Sequence, residues 1–200
     1  MKPWEVFIHS KSTSSNESII IDEIDTHGII DYIDYGSEAN GFLLNIGVRT
    51  YPTAEILASF LLERQSVYFA CTTNSTDLTI NRKLSAYTHC LKQLASIPNV
   101  GKCLNGQSLR NQLLQRPWCL AYQMIHKTDG NDERIFKIVR PGEVYLDDDH
   151  QSVIDLRPLC APDEPELIKL YEMFGSKWLS ECVHRTLVHR GNSLFYSSKL

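Results

Sequence analysis

The residues best equipped for chemistry gather near the end of the chain. Cys182, His184 and His189 offer one sulfur and two imidazoles in a short span. Such donors suit zinc, but one cysteine with two histidines at this spacing does not make the paired pattern of a structural site. A plain run from a helix into a tail is the favoured reading of them. Asp147, Asp148, Asp149 and His150 could present oxygens to a hard cation. Adjacent residues cannot all direct ligands inward, so an acidic turn after a strand is the simpler reading. Asp129, Asn131 and Glu133 alternate like the start of a calcium loop but lack its remaining ligands.

Nucleophiles and nucleotide loops fare no better. His89-Cys90 falls beside the apolar stripe of a long helix, and Cys119 sits inside an apolar run. A reactive thiolate needs partial exposure and a positive neighbourhood, so core packing is favoured for both cysteines. Gly101-Lys102 comes nearest to a phosphate-cradling loop, but Ser96 stands where the first glycine belongs and Cys103 where a hydroxyl belongs. Neither G-x-G-x-x-G nor G-x-S-x-G occurs. Carboxylates are dense between residues 22 and 34, but spacing alone singles out no acid–base pair. Trp118, Trp178 and Tyr171 read as core anchors, since no basic residues interleave with them as a nucleic-acid stacking platform requires. No catalytic, cofactor-binding or metal-ligating residue is assigned, and no cofactor is expected.

Composition narrows the class. The 200 residues are 42% hydrophobic and 22% charged, with a formal net charge of −4, which suits a globular chain with a sizeable core. The charge argues against general affinity for phosphate backbones, so no nucleic-acid partner is expected. Residues 1–40 hold eight acids against Lys2 and Lys11, whereas residues 176–200 hold Lys177, Arg185, Arg190 and Lys199 against Glu181 alone. Two solvated faces explain this asymmetry, and an acidic adaptor surface for basic partners is the sharper alternative. Cys71, Cys90, Cys103, Cys119, Cys160 and Cys182 form no C-x-x-C pair and follow no secretory apolar run. Reduced, mostly buried thiols and a cytoplasmic or nuclear location are expected. Asn16 and Asn74 lie in sequons that such a location leaves unused. No apolar run approaches the ~18 residues of a membrane span, so no membrane association is expected.

The elements that must position these residues can be placed by periodicity. Residues 4–8 suit a short strand, residues 11–18 a serine-rich loop, and Ser18–Asp34 leaves strand and short helical turns open. From Ser37, a capping residue, Ala39, Phe42, Leu43 and Ile46 recur at helical spacing until Gly47. Thr53 caps a second helix with Ile56, Leu57, Phe60 and Leu61 on one face, making a helical hairpin, and residues 66–71 can add a turn. Ile80, Leu84, Tyr87, Leu91 and Leu94 mark an amphipathic helix ending before Pro98, and Gln107–Gln115 a shorter one stopped by Pro117.

The period then changes. Trp118–Ile125 is apolar on both faces, as a covered strand should be, and Asp129-Gly130 suits a hairpin into the strand Arg134–Arg140. Pro141-Gly142 turns the chain into a third strand, Glu143–Leu146, and Val153-Ile154 reads as a fourth strand or a bridge. Asp163 with Glu166 resembles a capping box opening a helix that Gly175 ends. Ser176 can cap a further helix over residues 177–183. Residues from 184 onward read as a basic, loosely held tail.

The expected fold is α+β: a helical layer, comprising a helical hairpin and further amphipathic helices, packed on a small, mainly antiparallel sheet. The expected organisation is an acidic N-terminal segment over 1–36, a helical part over 37–117, a β-unit with following helices over 118–183, and a basic tail over 184–200. One folded unit is expected from about 30 to 185.

Four stretches carry a family resemblance: residues 33–62 (IDYGSEANGFLLNIGVRTYPTAEILASFLL), 116–122 (RPWCLAY), 140–149 (RPGEVYLDDD) and 160–183 (CAPDEPELIKLYEMFGSKWLSECV). In order and pattern they resemble a family of very large, mostly fungal proteins. Those proteins carry an N-terminal ATPase domain of the histidine-kinase/heat-shock-chaperone type, similar to that of sacsin. The resembling part lies downstream of the ATPase. The resemblance therefore implies a non-catalytic interaction module of a chaperone-like ATPase protein, or a fragment or split copy of one. Its partners would be other proteins or the ATPase domain itself. Neither the glycine-rich lid nor the acidic nucleotide contacts of that ATPase class occur in this chain. A downstream domain of that class can lend the nucleotide a basic residue; Arg116 and Arg140 are available, and no motif singles them out. A cysteine- or metal-dependent enzyme assembled from distant residues, with Cys182, His184 and His189 foremost, is the competing expectation.

Overall fold

The structure, a computed structural model, describes residues 6–8, 29–70, 77–126, 132–190 and 193–200; for 70, 77, 186–190 and 193–199 it describes the backbone alone. The serine-rich loop, Cys71, both sequons and the Asp129-Gly130 turn lie outside the described residues. The fold is α+β, with helices and small two-stranded pairings. The chain divides into two compact units, 1–109 and 110–200.

In the first unit, β1 (Val6–Ile8) pairs parallel with β2 (Asp31–Ile33), so the strand option for the second segment holds over those residues. α1 spans Ser37–Asn45, α2 Ala54–Ala70, α3 Asp77–Ser96 and α4 Val100–Cys103. Thr53 caps α2 as its sequence suggests: the hydroxyl accepts from the Ile56 N–H at 3.4 Å. Ala54, Leu57, Ala58, Phe60, Leu61 and Leu62 are all buried, so the first half of α2 is enclosed on more than the single face expected of it. The helix continues through the residues expected to add only a turn. The stripe on α3 is buried through Tyr87, Leu91 and Leu94, joined by Ala86 and Cys90. Within the loop expected after Pro98, Asn99 adopts a left-handed conformation and starts the one-turn α4.

α1 departs from expectation twice. Its N-cap is Gly36 at φ 86°, a conformation open to glycine, which moves Ser37 into the first helical turn instead of the cap. The apolar stripe is present but only partly covered: Leu43 is half-buried, Ala39 and Phe42 are exposed, no residue of α1 is fully buried, and the helix lies beside β1. Gly47 ends it as expected, at φ 97°, with the Val48 N–H donating to the Leu43 carbonyl and the Gly47 N–H to that of Leu44.

The second unit is built round a sheet. After α5 (Gln107–Gln115), β3 (Cys119–His126) and β4 (Asp132–Val139) pair antiparallel, Cys119 opposite Val139. A 3-10 turn over Pro141–Glu143 replaces the start of the expected third strand, leaving β5 only Tyr145–Leu146. β5 pairs parallel with β6 (Lys177–Trp178). Cys160 joins the two pairs, bridging Tyr122 antiparallel and Tyr145 parallel. The sheet therefore runs β4, β3, Cys160, β5, β6.

Three further expectations do not hold. Val153-Ile154 belongs to α6 (His150–Leu156), not to a strand: Asp149 caps this segment and draws two β-branched residues into helix. α7 spans Pro165–Met173 with Glu164 as N-cap and no side-chain cap bond. Pro165, suited by its fixed φ to the first helical position, starts the helix one residue later than an Asp163 cap requires. Ser176 caps no helix; its hydroxyl donates to the Pro141 carbonyl at 2.8 Å, and β6 precedes the short α8 (Leu179–Cys182). Gly175, at φ 96°, does close α7.

The basic tail is a hairpin and not a loosely held end. β7 (His184–Arg190) pairs antiparallel with β8 (Ser193–Lys199), and β8 runs beside α6. The pairing runs from His184 opposite Lys199 to Arg190 opposite Ser193.

The core of this unit centres on Trp118. Its indole N–H donates to the Leu113 carbonyl at 2.6 Å, and its ring meets Tyr171 and Phe174 edge-on at 5.8 and 5.4 Å. Trp118 and Tyr171 are thus the core anchors expected, whereas Trp178 is only half-buried and donates to Glu172 at 3.2 Å. Coverage of β3 fades along its length, from the buried Trp118–Tyr122 end to the exposed His126. β4 is exposed from Asp132 to Lys137, so helices close over one strand of the hairpin and not both.

Candidate functional site

The acidic turn is a junction of caps. Asp149 accepts from the Ser152 N–H at 3.3 Å and the Ser152 hydroxyl at 2.7 Å, which fixes the start of α6. One guanidinium nitrogen of Arg185, in β7, donates to both Asp149 oxygens at 2.7 and 2.6 Å and to the Ser152 hydroxyl oxygen at 3.0 Å. The Ser152 hydrogen bond and the Arg185 charge together hold the Asp149 carboxyl below its ordinary range. Asp148 accepts from the Ser180 N–H at 2.9 Å and from the Ser180 hydroxyl, capping α8 from a distant part of the sequence. Two of the three carboxylates proposed as cation ligands thus already serve N–H, O–H and guanidinium donors. Neither Ser180 nor Arg185 carries a local signal for this role; both act from more than thirty residues away.

The thiols divide by depth. Cys90, Cys119 and Cys160 are buried, and burial pushes Cys90 and Cys160 up to about 12 and Cys119 well above its usual value. All three are protonated at neutral pH and pack as small apolar groups. His89, beside Cys90 in sequence, contacts the Gln93 amide at 3.0 Å, with its pKa lowered by burial and then by Lys92. Cys103 is exposed and Cys182 half-buried.

Cys182 sits at the end of α8 and His184 begins β7, but the side chain of His189 lies outside the described residues. Among the described residues no three His, Cys, Asp or Glu side chains are grouped to hold a metal. Asp129 and Asn131 also lie outside the described residues; Glu133 stands in β4. Arg140 is exposed and engages Glu143 of its own turn, at 3.5 Å between side chains. Arg116 is exposed at the end of α5, 3.5 Å from the Gln112 carbonyl oxygen of the amide. Among the described residues no helix is long and apolar enough to cross a membrane.

The surface that stands apart is on α1. Phe42 is 65% exposed and Ile46 61%, and Ala39 is exposed as well. Spacings of three and four put these three residues on one side of the helix. Tyr35 before α1 and Tyr51 after it are also exposed. Local bonds shape the N-terminal approach: Asp34 accepts from the Gly36 N–H at 2.9 Å and the Asn40 amide at 2.8 Å, while the Asn40 oxygen accepts from the Tyr35 N–H at 3.1 Å. An amphipathic helix ordinarily spends its apolar side on a core. This one presents it outward, an arrangement typical of surfaces that receive another molecule.

A family model described as a protein of unknown function (DUF3684) matches residues 1–194. No curated protein and no solved structure matches the chain.

Proposed function

The chain belongs to the DUF3684 family of proteins of unknown function, and we propose that it acts as a non-catalytic structural and interaction module of a larger chaperone-like ATPase protein. The observation that carries this reading is the outward apolar side of α1, with Phe42 and Ile46 solvent-facing on a helix that buries no residue. Helices of this kind dock through i, i+3 and i+4 anchors into an apolar groove. The expected occupant is the ATPase domain, supplied in the same polypeptide or by a partner, as the sequence resemblance to sacsin-like ATPase proteins implies. The fates of the other candidates support the same reading, since the acidic turn is spent on helix caps and three thiols are protonated and enclosed.

The test is capture from an extract of cells that express the protein naturally, using the native chain and a Phe42→Ser/Ile46→Ser variant. The reading expects an ATPase of the heat-shock-chaperone class, identified by mass spectrometry, to be retained by the native chain and lost by the variant. No such ATPase on either chain, or equal retention by both, would remove it.

A further inference from the structure

We infer that the outer edge of β4 is a self-association site, at which a second copy of this chain pairs antiparallel across a two-fold axis through Ile135. The backbone phase follows from β3. Tyr122 exchanges both its N–H and C=O bonds with Cys160 at 2.8 Å, and Leu120 bonds the Tyr171 hydroxyl, so even-numbered residues of β3 turn their backbone groups away from β4. Odd-numbered residues of β3 therefore serve β4, where they stand opposite odd-numbered residues: Cys119 with Val139, Ala121 with Lys137, Gln123 with Ile135. The N–H and C=O groups of Asp132, Arg134, Phe136 and Ile138 point to the outer edge. Among the described residues no strand pairs with that edge. β4 carries no proline or glycine, and its first six residues are exposed.

Edges of this kind invite another strand unless charge or shape prevents it. Here the charges are self-complementary in one register. Hydrogen-bonded pairing between two outward sets of even-numbered residues allows axes at Arg134, Ile135 or Phe136. An axis at Arg134 sets two guanidinium groups directly opposite each other. An axis at Phe136 leaves Glu133 opposite Val139 and Lys137 opposite Ile135. The axis at Ile135 sets Glu133 opposite Lys137 twice and Arg134 opposite Phe136 twice, each a favourable cross-strand pair. It also brings together two Ile135 side chains, 38% exposed in the single chain. The result is an isologous pairing, in which each residue makes the same contact in both copies.

Sedimentation velocity over a concentration series tests the pairing. The native chain is expected to show a monomer–dimer equilibrium. Lys137→Glu should weaken it by about tenfold, because two opposite-charge pairs become like-charge pairs. Glu133→Lys combined with Lys137→Glu should restore it, since the swap recovers both pairs; all three positions of the argument are exposed, so folding is not at stake. In parallel, Ile135→Cys should form a 135–135 disulfide under mild oxidation, identified by peptide mapping, because non-hydrogen-bonded antiparallel partners lie within disulfide reach. A native chain that stays monomeric at every concentration overturns the inference. So does a dimer that Lys137→Glu leaves unchanged, or an Ile135→Cys chain that yields no 135–135 crosslink.

Discussion

The Tyr171 hydroxyl accepts from the Leu120 N–H at 2.8 Å and donates to the Leu120 carbonyl at 3.1 Å. A helix side chain thereby does the work of a strand. Leu120 and Tyr122 turn their backbone groups to the same edge of β3; Cys160 satisfies those of Tyr122, and Tyr171 those of Leu120. Both partners are buried, so no solvent competes for these bonds.

Tyr171→Phe keeps the ring against Trp118 and removes only the hydroxyl, leaving a buried donor and acceptor unpaired. The expected loss of stability is about 1–3 kcal/mol. Urea denaturation should show a lower midpoint at unchanged slope, the mark of altered stability without altered compactness.

The outward side of α1 predicts a contrast within one unit. Phe42→Ala and Ile46→Ala should each change stability by no more than about 0.5 kcal/mol, as exposed substitutions do. Leu61→Ala, at a fully buried position of α2, should cost about 2–5 kcal/mol. Thermal or urea unfolding of the three variants checks this directly.

Asp149 predicts a pH dependence whose sign is fixed. Its folded-state pKa is held below the ordinary 3.8, first by the Ser152 hydroxyl and further by Arg185. Its stabilising effect is therefore complete above that ordinary value and is lost as pH falls through the lower folded-state value. Urea midpoints of the native chain should exceed those of Asp149→Asn at neutral pH, and the gap should close in acid. A gap constant down to strongly acidic pH would contradict the assignment.

Thiol accessibility should follow burial. Among the described cysteines, a maleimide applied to the native protein should label Cys103 first and Cys182 more slowly, with Cys90, Cys119 and Cys160 labelled only on unfolding. Peptide mapping across a time course reads the order.

Local periodicity carried much of this architecture. The stripe from Ile80 to Leu94, the bounds of α5, the Thr53 cap and the apolar run of β3 all depend on neighbours in sequence, and all are found. The errors have physical causes of a different kind. Val153 and Ile154 favour strand in isolation, but the Asp149 cap outweighs that preference. Spacing identifies an apolar side of α1 without saying whether anything covers it. The pairings of Asp148 with Ser180, Asp149 with Arg185 and Leu120 with Tyr171 join residues far apart in the chain, where one sequence offers no signal. Cys160 was legible as a buried thiol; its backbone role in the sheet was not.

Cys160 also bears on the order of folding. The β3–β4 hairpin is local and can form quickly, and among the described residues its backbone pairing toward β5 passes through Cys160. The link from β3 to α7, between Leu120 and Tyr171, spans 51 positions, a long loop to close for a single hydroxyl. A refolding rate left unchanged by Tyr171→Phe, with unfolding accelerated, would mark this contact as one formed after the rate-limiting step.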